Sequence, residues 1–121
     1  MIELLKDFPS NVVALSAEGQ VSREDYQKIV VPAVERTLNQ HEKVRLYYKI
    51  GKDFTGIDIG AMWADTKVGM GHFFRWERIA VVTDVDWIKH SVMAFGFLMP
   101  AQVNVYSTAE AEDARKWISA T

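Results

Sequence analysis

Val44-Arg45-Leu46-Tyr47-Tyr48-Lys49-Ile50, closed by Gly51, decides the fold class. Seven residues rich in β-branched and aromatic side chains, ended by a glycine, form a strand. Val44, Leu46, Tyr48 and Ile50 point one way; Arg45, Tyr47 and Lys49 point the other. A strand buried on both faces of a doubly wound sheet is a continuous apolar run. The charges at Arg45 and Lys49, matched by Gln102 and Asn104 further on, predict instead a sheet with helices mainly on one face.

Outward from this strand, strands and helices alternate. Towards the amino terminus, Ile2 to Leu5 and Val12 to Glu18 flank the turn Phe8-Pro9-Ser10-Asn11 and are close enough to form an antiparallel hairpin. A first helix starts at Ser22, where Ser22 and Asp25 resemble a capping box. Tyr26, Ile29, Val30, Ala33, Thr37 and Leu38 recur at helical spacing. Pro32 removes an amide donor and crowds the carbonyl of Lys28, which predicts a kink or break near Val31.

Towards the carboxyl terminus, Gly51 to Gly56 is a loop. Asp58 caps a second helix running to about Phe74. Arg78 to Thr83 is a strand, and Asp84 or Asp86 caps a third helix through Trp87, Ile88, Val92 and Phe95, ended by Pro100. Gln102 to Tyr106 is the last strand. Ser107 and Glu110 form a capping box for a final helix that packs through Ala114, Trp117 and Ile118. The order β-β-α-β-α-β-α-β-α implies right-handed parallel crossovers after the hairpin. The expected architecture is α/β: a mixed, mostly parallel five-stranded sheet with about four helices mainly on one face, in a single domain over 1–121.

The composition bounds the function. The 121 residues are 49% hydrophobic and 25% charged, with net charge −2 and no cysteine. That suits one globular domain with its own core. The acidic balance argues against a nucleic-acid partner. The lack of cysteine excludes disulfides and thiolate chemistry and suits the cytoplasm. Glu3, Lys6 and Asp7 near the amino terminus argue against a signal peptide. The apolar stretch Val92 to Met99 is too short to span a bilayer.

Several segments carry a family resemblance. Gly60-Ala61-Met62-Trp63-Ala64-Asp65-Thr66-Lys67, then Gly71-His72-Phe73-Phe74-Arg75-Trp76-Glu77-Arg78-Ile79-Ala80-Val81-Val82-Thr83-Asp84, resemble the SpoIIAA-like family of the STAS fold. Trp87 and the closing Ala111-Glu112-Asp113-Ala114-Arg115-Lys116-Trp117-Ile118 are similar to it too. The layout is also broadly similar to that of CRAL-TRIO domains, which hold apolar ligands. The resemblance implies a binding or regulatory role. STAS antagonists carry a phosphorylated serine in an Asp-Ser-type motif just before the second helix. The matching stretch here, Gly51 to Asp58, has no serine. Thr55 is its one hydroxyl and the candidate phosphorylation position, with a turn threonine bonded to backbone as the plainer reading.

Catalytic patterns are missing from the sequence. His41, His72 and His90 make no close metal pair, and there is no nucleophile elbow or phosphate-binding loop. His41 is expected near a helix C-terminus, where a cation is favoured. Asp53, Asp58 and Asp65 are carboxylates that a loop, a cap and an ion pair account for. No enzyme, metal or cofactor is expected.

The feature that asks for an explanation is the concentration of Met and aromatic residues from Ile57 to Met99. Such stripes usually form core, but methionine also suits adaptable binding surfaces. Gly60, Gly69 and Gly71 weaken the second helix, each by about 1 kcal/mol relative to alanine. The expectation is an apolar groove or membrane-facing surface formed by Met62, Trp63, Met70, Phe73, Phe74, Trp87, Phe95 and Phe97. Lys52, Asp65, Lys67 and His72 would make headgroup or polar contacts. The expected partner is an apolar small molecule or lipid, with the chain cytoplasmic or held at the membrane surface. The alternative is a protein-interaction module, docking another protein or a second copy of itself.

Overall fold

A computed structural model describes residues 1–19, 23–53, 75–97 and 101–120. Five strands form one sheet in the order β1-β2-β3-β4-β5: β1 (Ile2–Leu4), β2 (Val12–Ala17), β3 (Val44–Ile50), β4 (Trp76–Val82) and β5 (Gln102–Tyr106). β1 and β2 pair antiparallel, and every other neighbouring pair is parallel. The described helices are α1 (Arg23–Asp25), a π-helical turn (Tyr26–Val30), α2 (Val31–Gln40), α3 (Asp86–Gly96) and α4 (Ala111–Ser119), the last entered through a 3-10 turn (Thr108–Glu110). The hairpin and the element order follow the sequence expectation. The second predicted helix, with its Asp58 cap, the Ser22 cap and Pro100 lie outside the described residues.

The proline signal in the first helix takes a definite form. Pro32 sits in the opening turn of α2, directly after the π-helical turn. Widening the helix there relieves the lost donor and the ring clash, so the axis continues after an irregularity. His41 closes α2, its N–H donating to the Thr37 carbonyl at 3.0 Å.

The strand order steps in one direction, so crossovers of constant handedness place their helices on one face. α2 and α3 obey this. Val30, Val34 and Leu38 join Ile88 and Val92 over Val13, Leu15, Leu46, Tyr48, Ile50, Ile79 and Val81 in the larger core. α4 follows the last strand and is under no such constraint. It crosses to the opposite face, where Ala114 and Ile118 pack on Val12, Ala14, Tyr47, Ala80 and Val82. The second face is therefore not left to solvent as the charges on β3 suggest. Lys49, Gln102 and Asn104 are exposed, but Arg45 is only 7% exposed.

Arg45 is tolerated there because its guanidinium donates to three acceptors. Nε donates to Glu77 Oε1 at 2.6 Å. Nη1 donates to the carbonyls of Ile118, at 2.9 Å, and Ala120. Its neighbour in register, Arg78, donates to the carbonyls of Trp117 and Ala120, both at 3.0 Å, and lies over the Trp117 ring. Two guanidiniums thus cap the C-terminus of α4, where a helix favours positive charge.

One glycine fixes the packing of α3 on the sheet. A Cβ at Gly96 would stand 2.9 Å from Val103 Cβ on β5. Gly96→Ala is therefore expected to cost about 1–3 kcal/mol, the range for overpacking a core. Urea denaturation checks this, and Val103→Ala in the same chain is expected to recover part of the loss.

Candidate functional site

In open α/β sheets, ligands bind beyond the carboxyl ends of the parallel strands. Here that edge is tied together by its own polar groups. Gly51 N–H donates to the Ala17 carbonyl at 2.9 Å, and Gly19 N–H to Asp53 Oδ1 at 3.2 Å. Val82 and Tyr106 are in register, so residues two positions beyond each strand meet. Asp84 consequently accepts from the Thr108 N–H at 2.9 Å and from the Thr108 hydroxyl. Of the two residues expected to cap the third helix, Asp84 is spent on Thr108, its carboxylate holding the entry to α4, while Asp86 stands in the first turn of α3.

The second capping box is present as expected. Ser107 N–H and hydroxyl both donate to Glu110 Oε1 at 3.0 Å. Hydrogen bonds from Thr108, and then the charges of Lys52 and Lys89, hold the Asp84 carboxyl below its ordinary range. Bonds from Ser107, with Lys89 beyond, do the same for Glu110. Both groups are ionised at neutral pH and occupied by their partners. Lys52, expected as a headgroup contact, is exposed and contributes its field to Asp84.

Among the described residues, three of the five exposed large apolar side chains lie on the outer face of α3. Ile88 and Val92 are buried, whereas Trp87 is 55% exposed, Met93 63% and Phe97 90%. At 100° per residue these three fall on the side away from the sheet, with His90 and Ala94 between them. His90, Ser91 and Ala94 are exposed as well. Of the residues expected to form the groove, then, Trp87 and Phe97 share one surface. Met62, Trp63, Met70, Phe73 and Phe74 lie outside the described residues, as do Thr55, Asp65, Lys67 and His72, and the Phe95 side chain is not described. Met93 belongs with Trp87 and Phe97, and its spacing of four from Phe97 is the signal that finds it.

There are also cavities elsewhere among the described residues, one mainly polar and another of mixed lining. The polar one, about 220 Å³, is lined by Met1, Glu3, Ser16 and Glu18. The other, about 270 Å³, is lined by Glu35, Leu38, Asn39 and Arg75. Arg75 spends its donors on the carbonyls of Leu38, His41 and Glu42 at 2.8–2.9 Å, closing the end of α2. His41 Nε2 lies 3.0 Å from Ser10 Oγ on the exposed surface. Among the described residues no group of three His, Cys, Asp or Glu could hold a metal ion. No described helix is long and apolar enough to cross a membrane.

A sequential five-stranded sheet, opened by an antiparallel hairpin and carrying helices on both faces, defines a small α/β module of the STAS kind. The chain belongs to the SpoIIAA-like family, whose family model matches residues 12–119. It is similar in structure to an uncharacterised protein of the DUF3478 family with a SpoIIAA-like fold from Shewanella loihica PV-4. The TM-score is 0.70 at 20% identity, over 98% of this chain and 92% of that one. No curated protein matches the sequence.

Proposed function

We propose that this chain is a non-catalytic binding module that docks a protein surface through the outer face of α3. The observation that carries the reading is the outward placement of Trp87, Met93 and Phe97 on one helix face. Monomers rarely leave large apolar groups together in water unless that patch is used. Trp, Phe and Met are also the residues enriched at the centres of protein interfaces.

Two alternatives fit less well. A small apolar ligand is usually enclosed in a concave site, and a helix face is convex. An anionic bilayer favours a basic amphipathic helix. α3 offers Lys89 against Asp86, on a chain of net charge −2.

Photo-crosslinking in cells tests the reading. A crosslinker at position 87 is expected to give protein adducts, and one at exposed Arg36 on α2 is not. Adducts to lipid alone would replace the protein partner with a membrane. No adducts at all would contradict a docking role for this face.

A further inference from the structure

Resting on the reading of α3 as a docking surface, we infer that the partner is a second copy of this chain, related by a twofold axis through the outer face of α3 at the level of Val92. An isologous interface requires a patch that complements itself when reversed. α3 has this property. In an antiparallel α3–α3 pair, residues equidistant from Val92 meet. Trp87 shares a level with Phe97 of the other copy, and His90 with Ala94.

The lateral positions set how these pairs pack. On the helical wheel Trp87 and Phe97 lie about 40° either side of the centre line, and His90 and Ala94 about 20° either side of it. The twofold axis reverses levels but leaves each residue on its own side of that line, so Phe97 of the other copy stands beside Trp87 in one layer, and Ala94 beside His90 in the next. Large groups therefore meet at both ends. At the centre, the small Ala94 at the level of His90 allows the helices to approach to the usual 8–10 Å or so. Two aromatic pairs related by symmetry are the kind of anchor that dominates binding energy.

The area is adequate for a modest dimer. Aromatic side chains present about 150–250 Å² each, so Trp87, Met93 and Phe97 at their observed exposures offer apolar area on the order of 450 Å² per copy. A standard interface takes about 800 Å² per partner. The three apolar groups make its core with His90 and Ala94 between them, and Asp86 and Ser91 contribute to the rim.

Light scattering over a concentration series, with an engineered disulfide, tests the inference. The wild type is expected to dimerise reversibly. Phe97→Asp, at a position already 90% exposed, is expected to keep the circular dichroism spectrum and weaken the dimer by at least about thirtyfold. A mixture of the Trp87→Cys and Phe97→Cys variants, in which each mixed dimer keeps one Trp87–Phe97 pair, is expected to give a disulfide-linked dimer on oxidation, and neither variant alone is. Equivalent positions on the two copies stand about 15 Å apart along the helices, too far for a disulfide.

A monomer at every concentration overturns the inference, as does a dimer indifferent to Phe97→Asp. A wild-type dimer whose two single-cysteine variants fail to link when mixed overturns the register. The parent reading fails separately. A monomer whose position 87 still crosslinks a different protein in cells removes the second copy and leaves the docking face. No adducts at all removes both.

Discussion

Arg45→Ala is expected to destabilise the fold by about 3 kcal/mol and to loosen α4 before anything else. Breaking a buried ion pair by removing one partner costs about 3–5 kcal/mol, because the other is left buried without a counter-charge. Glu77 is the left-behind partner, and its side chain is 41% exposed. Water can reach it, which places the effect at the low end. The loss is shared with the carbonyls of Ile118 and Ala120, which Arg45 serves from beneath the last turn of α4. That helix buries only Ala114 and Ile118 fully, with Trp117 partly covered. Little apolar area holds it, so its C-terminal cap carries much of its attachment.

Lysine is not a substitute, since one ammonium cannot reproduce the guanidinium's fixed fork towards three acceptors. Arg45→Met keeps volume under the helix and is expected to fall between wild type and Arg45→Ala. Urea denaturation measures the total, and amide hydrogen exchange locates it in α4. A change in stability below about 0.5 kcal/mol would show that the pair is ornamental.

The second large effect appears at high pH. Burial pushes the Tyr48 hydroxyl up from 10.0 to about 12. Its neutral form is favoured in the folded state, so its contribution is complete below pH 10 and is lost as pH rises through 12. A rise of that size is worth about 3 kcal/mol, of which about 2 kcal/mol is gone by pH 12. Tyr47 is shifted the same way by burial, partly opposed by Arg115. The stability gap between wild type and Tyr48→Phe is therefore expected to hold level to about pH 10. Above that, the wild type should fall by about 2 kcal/mol relative to the variant. Parallel curves from pH 8 to pH 12 would contradict the burial of this hydroxyl.

Local signals carried much of the architecture. β3 and β5 have the bounds their alternation predicts. Ser107 and Glu110 close their capping box, and Pro32 disturbs the first helix where its missing N–H requires. Each of these is settled by residues close in sequence.

What the sequence does not reveal depends on distant partners. Arg45 is charged and sits on a strand, so it suggests an open face. It is buried because Glu77, 32 residues on, and carbonyls more than 70 residues on converge on it. No local pattern marks a backbone carbonyl as the acceptor of a guanidinium. Asp84 misleads for a similar reason, since Thr108 reaches it only because β4 and β5 are neighbours. The candidate site was legible in its composition more than in its geometry. Trp87 and Phe97 stand out by type, but their separation from Ile88 and Val92 follows from how α3 lies on the sheet.

The claim that matters most is that the outer face of α3 is covered when the protein works. The chain contains no cysteine, so one introduced thiol is the sole thiol present. Phe97→Cys and Arg36→Cys variants can be labelled with a membrane-permeant maleimide in cells and again as dilute purified protein. A covered face predicts that Phe97→Cys labels at least tenfold more slowly in cells, relative to its purified rate, while Arg36→Cys does not. Equal relative rates at the two positions would contradict it.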